Sequence, residues 1–207
     1  MPSPRILLAS ASPRRAELLT AAGLAFDVLA ADVDETRLAG EAPDAYCLRL
    51  ARAKAEAVAP AAQGRVVVAA DTIVVVGKDV FGKPMDAPDA RRMLGLLSGR
   101  RHEVLTAVAV LAPGGAVATA LERTAVECPA LTAGEIAWYV ASGEPMDKAG
   151  AYAIQGLASR FVARIEGSYS NVVGLPVATV YRLLRDIDPR WLADYPELND
   201  VAESPYL

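Results

Sequence analysis

The chain has 207 residues, 53% of them hydrophobic, enough for one sizeable core or two fused lobes and too apolar for a disordered chain. With 21 basic and 25 acidic residues the net charge is -4, so a broad nucleic-acid backbone footprint is excluded, and an anion must be met by a few focused basic side chains. Two cysteines, Cys47 and Cys128, and a single histidine, His102, exclude a disulfide framework, a zinc cluster and a His-based catalytic triad, and suit a reducing, cytoplasmic setting.

The first apolar run, residues 6–9, reads as a strand, and it is cut short by Ser10 and by residues 12–15. No export signal is expected from it, and no apolar run reaches the length of a membrane span. The strand hands over at Ser10-Ala11-Ser12-Pro13-Arg14-Arg15 to a helical run, with Ser12 suited to the N-cap and Pro13 to the first helical position. Free N–H groups and the positive helix end then point into this turn, as in an anion site. Two arginines in a first turn cost a few tenths of a kcal/mol each, roughly, unless an anion offsets them. Either a small phosphorylated ligand does so, or the arginines pair with acids on a surface turn.

A second strand is expected over residues 26–30, followed by the acidic loop Asp32-Val33-Asp34-Glu35. Glu35 there is either a hard oxygen ligand for magnesium or manganese or part of a solvated loop. In the helix expected over residues 44–58, Ala51, Lys54, Ala55 and Val58 share one apolar face, so Lys54 either meets an anion or snorkels along the stripe edge. Residues 66–76 read as a buried strand that turns at Gly77-Lys78-Asp79 and returns through Val80 and Phe81. Asp71 stands in the middle of that run, where an unpaired carboxylate would cost several kcal/mol, so it must meet a cation, a metal or donors. The hairpin offers Lys83, in a functional pair or in a structural one. The segment from Gly77 to Lys83 approaches a P-loop but fails at Pro84, and no Gly-x-Ser-x-Gly elbow is present.

Asp86 caps a helix expected to run to Leu97 and stop at Gly99; a strand over residues 102–111 turns at Pro113-Gly114-Gly115 and returns over residues 116–126. Thr132 and Glu135 form a capping box for a helix ending before Gly143. Gln155, in a glycine-rich loop, carries an amide able to read a pyrimidine edge or to satisfy backbone. A last hairpin is expected near residues 161–173, then a helix over residues 177–185 and a polar, proline-marked tail over residues 186–207. Alternating helices and strands without a linker define an α/β protein.

Taken together, Ser10-Ala11-Ser12-Pro13-Arg14-Arg15, the alanine-rich helix with Lys54, Ala70-Asp71-Thr72, Gly82-Lys83-Pro84, the stretch from Asp147 to Gly156, and Gly167-Ser168-Tyr169 with Gly174-Leu175-Pro176 resemble the Maf family of nucleoside triphosphate pyrophosphatases, once described as septum formation inhibitors. The resemblance runs from Arg5 to Arg185 in the family's order. It implies one domain over residues 1–207, an elongated α/β fold with a mixed twisted sheet and two lobes around a cleft, similar to the inosine triphosphate pyrophosphatases, and a cytoplasmic homodimer. It also implies cleavage between the α and β phosphates with a divalent cation, magnesium or manganese.

On that resemblance Arg15, Lys54 and Lys83 neutralise the triphosphate, and Ser10 with the helix N-terminus binds its oxygens. Glu35 helps hold the metal, and Asp71 is either the proton acceptor or mainly a second metal ligand. Arg14, Thr72 and Gln155 match the branch acting on dTTP and UTP and would face the base. The alternative is a non-catalytic, nucleotide-binding regulator of septum formation; a membrane or nucleic-acid partner is not expected.

Overall fold

The computed structural model describes residues 6–187. Its sheet is organised around the β-branched run at the middle of the chain. Val66–Val76 forms one long strand, almost wholly buried, as expected for residues that pack well on both pleated faces. In chain order the elements are β1 (Ile6–Leu8), α1 (Pro13–Ala21), β2 (Phe26–Val28), α2 (Pro43–Val58), β3 (Val66–Val76), β4 (Asp79–Phe81), α3 (Ala87–Leu97), β5 (Arg101–Leu111), β6 (Val117–Glu127), α4 (Ala133–Ala141), β7 (Arg164–Glu166), α5 (Tyr169–Val173) and α6 (Val177–Ile187). Seven strands make one mixed sheet in the order β2-β1-β3-β5-β6-β7, with β4 also on β3. β1 runs parallel to β2 and β3, and the remaining pairs are antiparallel. The α/β class expected from the sequence is the class observed. Among the described residues no helix is long and apolar enough to cross a membrane.

One edge of β3 is interrupted. β1 pairs with Val66, Val67 and Val68, β4 pairs with Val74, Val75 and Val76, and residues 69–73 lie between the two pairings. Alternation along β3 turns Val67, Ala69 and Ile73 towards α2, where they pack with Cys47, Ala51, Ala55 and Val58. Asp71 has the same parity and occupies an apolar place in that stripe. On the opposite face the core is in two parts. One is formed by Ile6, Leu8, Val68 and Val108 with α6, and the other by Val74, Val104 and Val126 with α3 and α4. Between them runs a buried polar seam. The Thr72 and Thr106 hydroxyls are 3.0 Å apart, Thr106 donates to the Asn171 carbonyl at 3.2 Å, and Asn171 Nδ2 donates to Thr124 Oγ1 at 2.9 Å.

The expected hairpin near residues 161–173 does not form. Only Arg164–Glu166 is strand, pairing with β6, and Tyr169–Val173 is a short helix capped by Ser168, whose Oγ accepts Asn171 N–H at 3.3 Å. The serine cap and Asn171's bonds into the seam outweigh the β-branched pattern that suggested a return strand. Asp86 and the Thr132–Glu135 capping box act as expected. Most of the proline-marked tail lies outside the described residues.

His102, on β5, is 3% exposed and its Nε2 lies 2.8 Å from the Tyr152 hydroxyl. Burial pushes its pKa from 6.5 down to about 4. Between those values the unfolded chain binds a proton that the native protein does not. The part of the stability that rests on His102 is therefore expected to fall as pH drops from about 6.5 and to level off below about 4, with a total contribution on the order of 3 kcal/mol. Urea unfolding between pH 7 and 4 checks this: a His102→Gln variant should show a shallower decline, and identical slopes would refute it.

Candidate active site

The cleft opens at the interrupted edge of β3, beyond the C-terminal end of β1, the position where open α/β sheets bind ligands. It has a volume of about 350 Å³. Five basic residues, Arg14, Arg15, Lys54, Lys83 and Lys148, and three acids, Glu35, Asp71 and Asp147, line it, so the cleft carries a net +2. In a chain with net charge -4 this is a focused attraction for a small polyanion.

On the α2 side the helical spacing that places Lys54 in the apolar stripe also aims its ammonium at β3. Lys54 Nζ lies 2.6 Å from Asp71 Oδ1 and 2.6 Å from Glu35 Oε1. Lys54 and Asp71 are nearly buried while Glu35 reaches in from solvent. The partner of Asp71 is thus Lys54, not Lys83. β4 ends at Phe81, and the Gly82 carbonyl accepts Gly150 N–H at 3.0 Å, so the chain leaves the sheet before Lys83 comes alongside Asp71. Gly150 has φ +69°, and a Cβ there would come within 2.8 Å of Val74, which explains a glycine at this junction. Lys83 lines the cleft, exposed and without an ion pair among the described residues. Cys47, behind Asp71, is inert as a nucleophile: burial, then the Asp71 charge, pushes its thiol up to about 12.

On the other side the two adjacent arginines of α1 diverge. Arg15 turns into the gap in the sheet. Its Nε donates to the Gly174 carbonyl at 2.8 Å, Nη1 to the Ala70 carbonyl at 2.7 Å and Ser10 Oγ at 3.2 Å, and Nη2 to Thr72 Oγ1 at 3.1 Å. Four of its five N–H groups are therefore engaged by the protein, and one remains for a ligand. Burial lowers its pKa, an effect that the Asp71 charge opposes. Ser12 holds the N-cap position, but its side chain makes no cap bond; Ser10 Oγ instead accepts Ser12 N–H at 3.1 Å. Arg14 crosses the cleft to Asp147, Nη1 to Oδ2 at 2.7 Å and Nη2 to the backbone carbonyl at 2.9 Å. The acid-pairing alternative thus holds for Arg14 alone. Asp147 also holds Lys148. Burial works against its charge, but Lys148 and Arg14 outweigh burial and hold its pKa down at about 2.

Gln155 lines the cleft as an exposed side chain with no hydrogen bond among the described residues. All nine residues singled out in the sequence, Ser10, Arg14, Arg15, Glu35, Lys54, Asp71, Thr72, Lys83 and Gln155, line the same cleft. Sequence reasoning gave no role to Asp147 and Lys148, although both stand in a quoted motif; their signal was an adjacent acid and base beside a glycine turn.

Fold and site define an α/β protein whose cleft sets an ion-paired carboxylate on a central strand against a cluster of cations. The chain belongs to the Maf-like protein family, whose model matches residues 5–187. A protein of Anaeromyxobacter dehalogenans named dTTP/UTP pyrophosphatase is 56% identical over 186 residues, covering 88% of this chain and 94% of that one. One of the same name from Myxococcus xanthus is 54% identical over 179 residues, covering 86% and 90%. Among solved structures, the Staphylococcus aureus Ham1 protein aligns with a TM-score of 0.49 at 16% identity, covering 87% of this chain and 98% of that one.

Proposed function

We propose that this chain is a dTTP/UTP pyrophosphatase that hydrolyses its substrate to the nucleoside monophosphate and pyrophosphate. The observation that carries the reading is the Asp71 carboxylate, set by Lys54 at 2.6 Å on the floor of a net-positive cleft. The names of relatives more than half identical over nearly all of the family region support it.

Asp71 accepts a proton from water as the water oxygen attacks the α-phosphorus; the bond from the α-phosphorus to the bridging oxygen breaks, and pyrophosphate leaves. Lys54 and Lys83 offset charge developing on the phosphate oxygens. Ser10, the N–H groups of α1 and the one uncommitted N–H of Arg15 bind phosphate oxygens. Glu35 and Asp71 already converge on one cation, the Lys54 ammonium. Two carboxylates, with remaining ligands from phosphate and water, suit magnesium or manganese. No cluster of three or more His, Cys, Asp or Glu suited to a metal occurs among the described residues. A magnesium or manganese ion would be held by Glu35 and Asp71 and would supply charge neutralisation at the phosphates.

Gln155 presents its amide to the pyrimidine edge, while Arg14 and Thr72, both committed to protein partners, shape the walls of the base site. Work on cytoplasmic nucleotides and assembly as a homodimer belong to the same reading, and sedimentation tests the latter.

The test is release of monophosphate and pyrophosphate from a panel of nucleoside triphosphates with and without magnesium or manganese. Metal-dependent turnover favouring dTTP and UTP is expected. A folded protein that turns over nothing on the panel overturns the reading in favour of a nucleotide-binding regulator of septum formation.

A further inference from the structure

The segment that brings Gln155 into the cleft is held from behind by a single carboxylate. Glu144 Oε1 accepts the Tyr139 hydroxyl at 2.8 Å and Ala158 N–H at 3.3 Å, and Oε2 accepts Leu157 N–H at 3.0 Å. The Tyr139 hydroxyl in turn accepts Ala153 N–H at 3.2 Å, so the backbone is tied on both flanks of Gln155. Tyr139 is fully buried, with its ring edge-on to Phe161 at a centroid distance of 5.5 Å. At Gly156, a Cβ would lie 2.3 Å from Glu144 Oε2, so the backbone comes this close to the carboxylate only as glycine. Three donors converging on one charged acceptor make a stiff anchor. The Gln155 amide itself stays uncommitted.

We propose that Glu144 is a positioning residue for base selection: it sets residues 153–158 so that the Gln155 amide meets the pyrimidine edge, without touching the substrate itself. The inference rests on the pyrophosphatase reading. An amide recognises a base edge only within a narrow range of positions, so an anchor behind the loop controls selectivity while the phosphate end of the cleft is left alone. Glu144→Gln keeps the size but replaces one acceptor oxygen with an N–H donor facing backbone N–H groups.

The experiment compares wild type, Glu144→Gln, Gln155→Ala and the double variant. It reads kcat and KM for UTP and GTP, and competitive inhibition by inorganic tripolyphosphate, which carries phosphates but no base. With Glu144→Gln, kcat/KM for UTP should fall about tenfold, mostly through KM, and the preference for UTP over GTP should fall in parallel. Tripolyphosphate inhibition should change less than about twofold, and the double variant should be no worse than Gln155→Ala alone, since both act through one amide. Tyr139→Phe, which removes the hydroxyl and keeps the ring, should move the same ratio in the same direction and serves if Glu144→Gln does not fold. Equal losses of UTP turnover and tripolyphosphate binding, or additive effects in the double variant, overturn the inference while leaving the enzyme reading intact. A wild-type protein that hydrolyses neither UTP nor dTTP overturns both.

Discussion

Asp71→Asn is expected to lower kcat for UTP by at least about 100-fold, the lower end of what a positioned general base contributes. The fold should survive. Lys54 keeps Glu35 at 2.6 Å, and the asparagine amide oxygen can still accept its hydrogen bond, so no ammonium is left alone near the core. The loss should therefore appear in turnover and not in the urea midpoint. It should appear in kcat more than in KM, since the proton is taken in the transition state. A variant that retains a tenth or more of the wild-type rate, roughly, would remove Asp71 from the proton-accepting role.

Arg15→Lys is the second large effect, and it separates charge from geometry. If Arg15 served only as a positive charge at the helix N-terminus, lysine would replace it with little loss. Its guanidinium instead spans the gap in the sheet, serving the Ala70 and Gly174 carbonyls together with the Ser10 and Thr72 hydroxyls. One ammonium cannot reach acceptors on opposite sides of that gap. At least two acceptors lose their partners, at a cost of about 1–3 kcal/mol each. The variant is expected to be less stable by about 2–5 kcal/mol in urea unfolding, with kcat/KM for UTP also reduced because Ser10, Thr72 and Gly174 lose a shared anchor. Unchanged stability with unchanged activity would show that Arg15 acts through charge alone.

Much of this was legible in the chain because each signal was a local conflict. Lys54 interrupts the apolar face of a helix and Asp71 a run of β-branched residues, and both positions are costly without a partner. The arginine pair stands in a first turn that favours acids. Such conflicts identify which side chains need company, but they do not say with whom. Lys83 was the nearer candidate for Asp71 along the hairpin. It fails because β4 ends at Phe81 and the Gly82 carbonyl is taken by Gly150, a contact between segments far apart in the chain. The return strand expected near residues 161–173 failed in a similar way, since the bonds that hold Asn171 come from β5 and β6.

By itself the sequence determined the α/β alternation and the strand and helix that carry Asp71 and Lys54, while the resemblance to the Maf family added the other polar residues that line the cleft with them. Periodicity, capping and the cost of burying charge act within a few residues of each position. Only the tertiary structure decided the pairing of Lys54 with both Glu35 and Asp71, the course of Arg15 into the sheet gap and of Arg14 across the cleft, and the hold of Glu144 on the loop of Gln155. Each depends on distances between elements remote in sequence, set by how β1 and β4 share an edge of β3 and how the helices pack on its faces.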